Sequence, residues 1–399
     1  MTVARVPASD DVVILSAART PIGAYRGGLA PLAATALGSI AIRAAVARAR
    51  IDPLEIDEVF MGQVVQAGAG QAPARQASLG AGLSTSVPCT TINKVCGSGL
   101  KAVMVARSEI LAGAARLIVA GGMESMSNAP FLLRGDARGG IALGDRALVD
   151  ANLGDGLIDP FSGSPMGACA ERTAVASGLT REEQDAFALA SYAKALAARA
   201  RGAFDAELVP VEVRTRGGTV MVERDETPRE TSAAALAALA SAFVPGGAVT
   251  AGNSSKVSDG AAALVVASAA HAAARGLTPL ARIVAQAQFA HEPERFLLAP
   301  SGAIRNVLER AGWTIREVDL FEINEAFSGI EAVRRELGIS PERLNVNGGA
   351  VALGHPVGAT GARLLVTLIH ALRARGLSRG VVAICLGGGE AVAVAIEAP

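Results

Sequence analysis

The chain repeats part of itself, and this repeat constrains the fold more than any other feature of the sequence. At a constant offset of 262 residues, AIRAAVARARIDPLEIDEV (41–59) aligns with AIRNVLERAGWTIREVDLF (303–321). Further on, LIVAGGMES (117–125) is similar to VAICLGGGEA (382–391), with a few residues inserted between the two alignments. We interpret the chain as two similar halves produced by duplication.

Short β-branched runs alternate with alanine-rich stretches of helical length. Strands are predicted at 12–17, 58–65 and 117–122, and helices at 36–50 and about 99–112. This alternation predicts an α/β fold in which helices cover both faces of a sheet.

Residues from about 125 to 250 fit neither half. They are rich in loops but contain one strong predicted helix, which follows Thr180 and has Glu183 in place for a capping box. The alanine-rich run 231–242 predicts a second helix, and a strand at 263–268 is expected to return to the first half. The predicted division is an N-terminal half (1–124), an inserted loop domain (125–250), a return to the N-terminal half (251–276) and a C-terminal half (277–399).

Charge and cysteine spacing argue against several classes of protein. The 399 residues include 37 Lys+Arg and 37 Asp+Glu, whereas proteins that coat nucleic acids or membrane surfaces normally carry a basic excess. The polar start of the chain and the short apolar stretch after it predict neither a signal peptide nor a spanning helix, so we expect a cytoplasmic protein without nucleic-acid or membrane partners. The four cysteines lack zinc-type spacing, so no metal site is predicted, and any cysteine that matters is expected to be chemical.

Two cysteines and one histidine lie on glycine-rich turns. Cys96 precedes a turn that opens a helix, where backbone N–H groups and the helix dipole would lower the pKa of its thiol; the alternative is a small buried hydrophobic residue. His355 lies among glycines at a helix entrance and is a candidate base. Cys385 ends a predicted strand before three glycines, either beside a ligand or as a structural residue. The other histidines are interpreted as surface or packing residues: His271, His291 and His370.

The segment FEINEAFSG (321–329) ends a predicted strand with a polar pair, Asn324 and Glu325. Asn324 could cap the next helix, or it could fix a water or a substrate carbonyl. Two cysteines and one histidine on strand-to-helix turns suggest acyl transfer together with a separate proton transfer.

Six motifs, in order and over almost the whole chain, resemble those of the thiolases. They are NKVCGSG (93–99), GGMESMS (121–127), GNSSKVSDGAA (252–262), NEAFS (324–328), NGGAVALGHPVGATGAR (347–363) and CLGGGEA (385–391). The resemblance implies the thiolase fold, in which two duplicated α/β halves form α-β-α-β-α layers with an inserted loop domain. It also implies an acyltransferase of fatty acid metabolism that acts on coenzyme A thioesters without a permanently bound cofactor, and a homotetramer whose dimers are joined by the loop 126–145.

The resemblance also assigns roles to individual residues. Cys96 would be the acylated nucleophile, His355 its activating base, and Cys385 the acid/base that moves the proton alpha to the thioester. Asn324 would hold a water that forms one oxyanion site with His355, and the backbone N–H groups of Cys96 and Gly387 would form the other. The coenzyme A contacts implied by the resemblance are Ser255, Arg229, Met166 and Phe327.

The motifs also bear on the activity within the family. TTINKVCGSGLKAV (90–103) resembles acetyl-CoA acetyltransferases, which condense two acetyl-CoA molecules into acetoacetyl-CoA and CoA through an acyl-cysteine. Pro165 before Met166 resembles some longer-chain enzymes, so a broader 3-ketoacyl-CoA thiolase of β-oxidation is the alternative. A condensing enzyme of the ketoacyl synthase type is a second alternative, but such enzymes do not need a second catalytic cysteine, so Cys385 counts against it. A third is a non-catalytic thioester-binding protein, and the joint presence of Cys96, Asn324, His355 and Cys385 counts against that one.

Overall fold

The computed structural model describes residues 11–133, 135–141 and 143–399. In chain order, the strands are β1 (Val12–Arg19), β2 (Gly23–Ala24), β3 (Glu58–Gly62), β4 (Cys89–Ile92), β5 (Leu117–Ser125), β6 (Phe131–Leu132), β7 (Val149–Asp150), β8 (Val211–Thr215), β9 (Gly218–Val222), β10 (Ser258–Ser268), β11 (Ala281–Ala290), β12 (Leu320–Ile323), β13 (Arg379–Leu386) and β14 (Glu390–Glu397). The helices are α1 (Ala34–Ala49), α2 (Pro73–Ala81), α3 (Ser98–Leu111), α4 (Met166–Ala176), α5 (Arg181–Ala200), α6 (Ala233–Ala237), α7 (Ala269–Ala274), α8 (Ala299–Ala311), α9 (Glu331–Leu337), α10 (Ala350–Leu353) and α11 (Val357–Arg375).

A ten-stranded sheet contains strands from both halves, in the order β12-β13-β14-β11-β1-β10-β5-β3-β4, with β2 paired to β10. The halves meet where β1 pairs with β11, from Val12↔Ile283 to Ile14↔Ala281. The predicted strand at 263–268 belongs to β10, which lies between β1 and β5 and so returns to the first half as expected.

Alternating side chains place helices on both faces of each half-sheet. In β1, Val13 packs with α1 and α2, whereas Val12 packs with α3 and α11. In β13, Val382 faces the same α3 and α11 layer, whereas Val381 packs with α8. Because α3 and α11 lie between the two half-sheets, the layers run α-β-α-β-α, which confirms the predicted fold class.

Equivalent strands in the two halves pair in the same register, as expected of a duplication. Glu58 pairs with Ile118 between β3 and β5, and Leu320 pairs with Gly380 between β12 and β13. Each member of the second pair lies 262 residues after its counterpart, so the expected insertion before the second alignment is wrong. The second alignment had matched the glycine runs of the two segments. The strand pairing instead makes Met123 the counterpart of Cys385 in the first half.

The predicted helix starts lie within two residues of those in the structure, but one predicted helix is too long. The capping box of α5 is present, since Thr180 and Glu183 each accept a hydrogen bond from the other's backbone N–H. The expected helix at 231–242 is wrong beyond Ala237, because Ser241 pairs with Thr250 in an extended bridge.

The described residues between the halves contain α4 to α6 and two small hairpin sheets, β6-β7 and β8-β9, separate from the ten-stranded sheet. The boundaries at 124, 250 and 276 stay a prediction. Within the described part of the chain, no helix combines the length and apolar composition needed to cross a membrane.

Candidate active site

Cys96 lies on a strained turn between β4 and α3. The preceding Val95 has φ 46, a left-handed conformation that β-branched residues avoid. Ser98 closes the turn, because its hydroxyl accepts from the N–H of Lys94 at 2.9 Å and donates to the carbonyl of Val95 at 2.6 Å. Lys94 also forms an ion pair with Glu390, which ties this turn to the end of the second half.

The environment of Cys96 does not favour a free thiolate. Burial raises the pKa of the Cys96 thiol to about 12, although the backbone N–H groups of Cys96 and Gly387 donate toward the sulfur and oppose the rise. The buried carboxyl of Glu124 raises it further. The expectation that the helix entrance lowers this pKa is therefore wrong, because desolvation by burial outweighs the hydrogen bonds to the sulfur. Ionisation of Cys96 requires a nearby proton acceptor.

His355 has the form of a neutral proton acceptor. Its Nδ1 lies 2.7 Å from the hydroxyl of Thr360, and its backbone N–H donates to the carbonyl of Lys256 at 2.9 Å. Its Nε2 is buried without a hydrogen-bond partner among the described residues. Burial, and then the positive charge of Arg363, lower the pKa of His355 to about 3, so the ring is neutral at physiological pH.

Glycines allow the backbone around His355 to pack closely. Gly354 has φ 100, and a Cβ there would lie 2.3 Å from the hydroxyl of Ser258. Gly358, three residues after the histidine, would place a Cβ 2.7 Å from the carboxylate of Glu124. The two glycines therefore let the His355 turn sit directly on β10 and β5. Val357 in the same turn belongs to an apolar cluster against which Cys96 packs.

Cys385, near the end of β13, and Gly387, just after it, lie close to Cys96. Cys385 is fully buried against a cluster that includes Met166 and Phe327. Burial raises the pKa of the Cys385 thiol, and the negative charge of ionised Cys96 raises it further. The two sulfurs therefore share one electrostatic environment, in which both cannot ionise easily.

Asn324 presents an unpaired amide. Its side-chain oxygen and nitrogen are buried, and neither has a partner among the described residues, while its backbone N–H donates to Ala383 at 3.0 Å. The next helical turn begins at Ser328 after Phe327, so the interpretation of Asn324 as its cap is wrong. A buried amide of this kind needs a water or ligand partner.

A cleft of about 160 Å³ adjoins these groups, and most of the predicted coenzyme A contacts line it. Its lining residues are Met126, Leu153, Leu157, Pro165, Met166, Gly167, Phe243, Ser254, Ser255, Lys256, Val257, Phe327, His355 and Val357. Its walls are mainly apolar, as expected of a site for an acyl chain and its thioester arm.

Arg229 is the one predicted contact outside the lining of this cleft. It is exposed, and its guanidinium lies 5.9 Å from the ring of Tyr192, the same distance as the ammonium of Lys256 from that ring. Burial, and then the charge of Arg229, lower the pKa of Lys256 to about 8. Sequence reasoning missed Lys256, although it is the one cation in the motif GNSSKVSDGAA.

Comparisons with known proteins cover almost the whole chain. The model of the thiolase N-terminal domain matches residues 12–270, and that of the thiolase C-terminal domain matches residues 277–398. The chain is 51% identical to an acetyl-CoA acetyltransferase of Escherichia coli (96% of this chain, 98% of that protein) and 49% identical to one of Cupriavidus necator (97% and 99%). A crystal structure of the Bacillus anthracis acetyl-CoA acetyltransferase superposes with a TM-score of 0.95 at 41% identity, covering 98% of this chain and 99% of that chain. The chain therefore belongs to the thiolase family of acyltransferases.

Proposed function

We propose that this chain is an acetyl-CoA acetyltransferase that converts two acetyl-CoA molecules into acetoacetyl-CoA and CoA, reversibly, through acetyl-Cys96. The observation that carries the proposal is that Cys96 and Cys385 interact electrostatically and that each packs against side chains lining the cleft that His355 also lines. Nε2 of His355 has no partner among the described residues. The names of the relatives at about half identity support the same activity.

In the first step, Nε2 of His355 removes the thiol proton of Cys96, and the thiolate attacks the thioester carbonyl of acetyl-CoA. The carbon–sulfur bond to CoA breaks, and the departing thiolate takes a proton from the Cys385 thiol. The products are acetyl-Cys96 and CoA, with Cys385 left as the thiolate and His355 protonated on both ring nitrogens. Burial lowers the pKa of His355, so the protonated ring readily gives up its proton in the second step.

In the second step, Cys385 in its thiolate form removes a proton from the α-carbon of the second acetyl-CoA. The resulting carbanion attacks the acetyl carbonyl, the bond to Cys96 breaks, and the departing Cys96 sulfur takes the proton from His355, while Cys385 ends the cycle as the thiol. The raised pKa of Cys385 makes its thiolate a strong base, as removal of a proton from a weak carbon acid requires.

Negative charge develops on two thioester oxygens, so two oxyanion sites are needed. We assign one to the backbone N–H groups of Cys96 and Gly387, both of which already donate toward the Cys96 sulfur. The other consists of His355 and a water held by the unpaired amide of Asn324. By analogy with other acyl-transfer sites, each donor contributes roughly 3 to 4 kcal/mol.

Coenzyme A would enter through the apolar cleft. Met166, Phe327 and Ser255 would contact its arm and the acyl group, and Lys256 with Arg229 would meet its phosphates at the outer end. No cofactor is needed, because both proton transfers use the chain's own side chains.

The second candidate function is that of a 3-ketoacyl-CoA thiolase with a broader chain-length preference, and Pro165 is the residue that favours it. It lines the cleft immediately before α4, at the position where the acetyl-specific enzymes that the sequence resembles often carry a histidine. The test is the rate of thiolysis of acetoacetyl-CoA against that of a longer 3-ketoacyl-CoA. A higher kcat/KM for acetoacetyl-CoA supports the proposal, and a higher value for the longer substrate would replace it by a 3-ketoacyl-CoA thiolase.

A homotetramer, as a dimer of dimers, is part of the same proposal. The loop 126–145 exposes large apolar side chains at Phe131, Ile141 and Leu143, with 65%, 60% and 106% of their surface accessible. Apolar exposure of this kind is typical of an interface. Two loop residues, Arg134 and Ala142, lie outside the described residues. Cytoplasmic location stays a prediction.

A further inference from the structure

The Asn324 side chain has no hydrogen-bond partner among the described residues, so its direction depends on the backbone around it. Its predecessor, Ile323, is bonded on both sides by the Asn345 side chain, which accepts from the N–H and donates to the carbonyl, each at 2.9 Å. Its successor, Glu325, is a fully buried carboxylate. These two neighbours therefore determine the orientation of the Asn324 side chain.

The Glu325 carboxylate joins three segments of the chain. Oε1 accepts from Nδ2 of Asn345 at 2.8 Å. Oε2 accepts from the hydroxyl of Ser191 in α5 at 2.7 Å and from the N–H of Val351 in α10 at 3.1 Å. One side chain thus links the turn that carries Asn324, a helix of the inserted segment and the short helix that leads to His355.

The link to α10 matters because that helix is a single turn. Ala350–Leu353 is too short to be stable alone, and its first N–H groups have no partner within the helix. Glu325 accepts from Val351, and Ser191 accepts from Gly349 at 3.0 Å, so these two side chains cap α10 from outside. His355 follows two residues after the end of this helix.

The fit around the carboxylate is tight and polar. A Cβ on Gly349 would lie 2.1 Å from the carboxyl carbon of Glu325, so only glycine allows this approach. Burial raises the pKa of Glu325, while hydrogen bonds from Ser191, Asn345 and Val351 and the charge of Lys194 oppose that rise.

We propose that Glu325 is a positioning residue that sets the separation of Asn324 and His355 by holding the turn after β12 against α10 and α5. This inference rests on the proposed function, because those two groups form one of its oxyanion sites. The other site, at Cys96 and Gly387, lies just before α3 and just after β13, and Glu325 has no hydrogen bond to either residue. His355, which also activates Cys96, is held by two further hydrogen bonds that do not involve Glu325. Loss of Glu325 therefore affects condensation more than acetylation of Cys96.

The substitution Glu325→Gln keeps the size of the side chain but turns an N–H donor toward either Val351 or Asn345. Because displacement of a reacting group by about 1 Å costs about 10²-fold in rate, we expect kcat for condensation to fall roughly 10- to 100-fold. Acetylation of Cys96, followed by mass spectrometry, should change by less than about threefold. Ser191→Ala removes one of the three bonds to the Glu325 carboxylate, together with the bond from Gly349, and should produce a smaller loss in the same direction.

The matched control is Glu331→Gln. Glu331 is also a buried carboxylate, but it bonds to Arg334 and Arg335 on its own helix, α9. It should lower the melting temperature to a similar extent while leaving kcat for condensation close to that of the wild type.

The decisive measurement is a double-mutant cycle between Glu325→Gln and Asn324→Ala. If Glu325 acts through Asn324, its substitution in the Asn324→Ala background should reduce condensation by less than about threefold further. Equal loss in both backgrounds, or equal loss of Cys96 acetylation and condensation, would overturn the inference while wild-type activity still supports the proposed function. A wild-type chain without condensation activity would overturn the proposed function and this inference with it.

Discussion

The hydroxyl of Thr360 connects Nδ1 of His355, 2.7 Å away, to the carbonyl of Pro356, 2.9 Å away. A hydroxyl has one hydrogen, and the carbonyl can only accept, so Thr360 donates to Pro356 and accepts from the ring. This network assigns the proton of neutral His355 to Nδ1 and leaves the lone pair of Nε2 free for the Cys96 thiol.

Thr360→Val should slow the reaction of Cys96 with iodoacetamide at pH 7 by roughly 10- to 100-fold, as expected when the group that orients a histidine is lost. Valine removes the acceptor for Nδ1–H, so the ring can place its proton on Nε2, where it cannot accept another. Thr360→Ser should retain the wild-type rate because it keeps the hydroxyl. Wild-type reactivity in the valine variant would contradict the assigned tautomer.

Cys385→Ala should separate the two steps of the proposed reaction. Cys96 should still be acetylated by acetyl-CoA, as mass spectrometry would detect, because His355 and the Cys96–Gly387 oxyanion site remain. Condensation should fall by about 10²- to 10⁴-fold, since no base remains for the α-carbon. Cys169→Ala, in the same buried cluster, is the control and should leave both rates unchanged. Equal loss of acetylation and condensation in Cys385→Ala would refute the division of roles.

Lys256→Met tests the outer end of the cleft. The ammonium donates to the carbonyls of Ala251 and Ser254, and the anchor of His355 is the backbone carbonyl of Lys256, which the substitution preserves. We expect KM for acetyl-CoA to rise about tenfold while kcat stays within about threefold, because a charge that meets the phosphates acts equally on substrate and transition state. Arg229→Met should have the same pattern. A fall in kcat at constant KM would instead place Lys256 in the chemistry.

The architecture and the sites of the motifs were predictable because their signals are local. Strand alternation, the capping box at Thr180 and the glycine-rich turns around Cys96 and His355 each depend on neighbours in the sequence. The pKa of Cys96 was not predictable in this way, since it depends on burial in the folded chain and on the backbone of Gly387, about 290 positions away. The partners of Glu325 in α5 and α10 lie 134 and 26 positions away, and no sequence periodicity indicates them.

The register of β13 was mispredicted for a related reason. The glycines within β5 resemble the glycine run after β13, and aligning them shifts the repeat by a few residues. The pairing of β5 with β3 and of β13 with β12 fixes the true correspondence. The length of α6 was overpredicted for a similar reason. Its alanine content favours a helix, but the pairing of Ser241 with Thr250 holds the following residues in an extended conformation.

Glu124 gives the fold a pH dependence that a single substitution should remove. Its Oε2 accepts from the N–H groups of Val64 at 2.9 Å and Gly358 at 3.0 Å, while its Oε1 has no partner among the described residues. Burial raises the pKa of Glu124 from 4.5 to about 8, against the opposing effect of these bonds. Because the folded-state pKa lies above the unfolded value, the stabilising contribution is complete below pH 4.5 and is lost as the pH rises through about 8.

Glu124→Gln should therefore stabilise the protein increasingly with pH. The glutamine oxygen can replace Oε2, and its amide can occupy the unpaired position of Oε1, so the side chain imitates the protonated acid. Melting temperatures of variant and wild type should be similar at pH 5, and at pH 9 the variant should be more stable by about 1 kcal/mol or more. The alkylation midpoint of Cys96 should fall, because the Glu124 charge raises the pKa of that thiol. Glu212→Gln, at an exposed position of β8, is the control for the loss of one negative charge. If the melting temperatures of Glu124→Gln and wild type changed in parallel with pH, Glu124 would be ionised throughout this range and the prediction would be wrong.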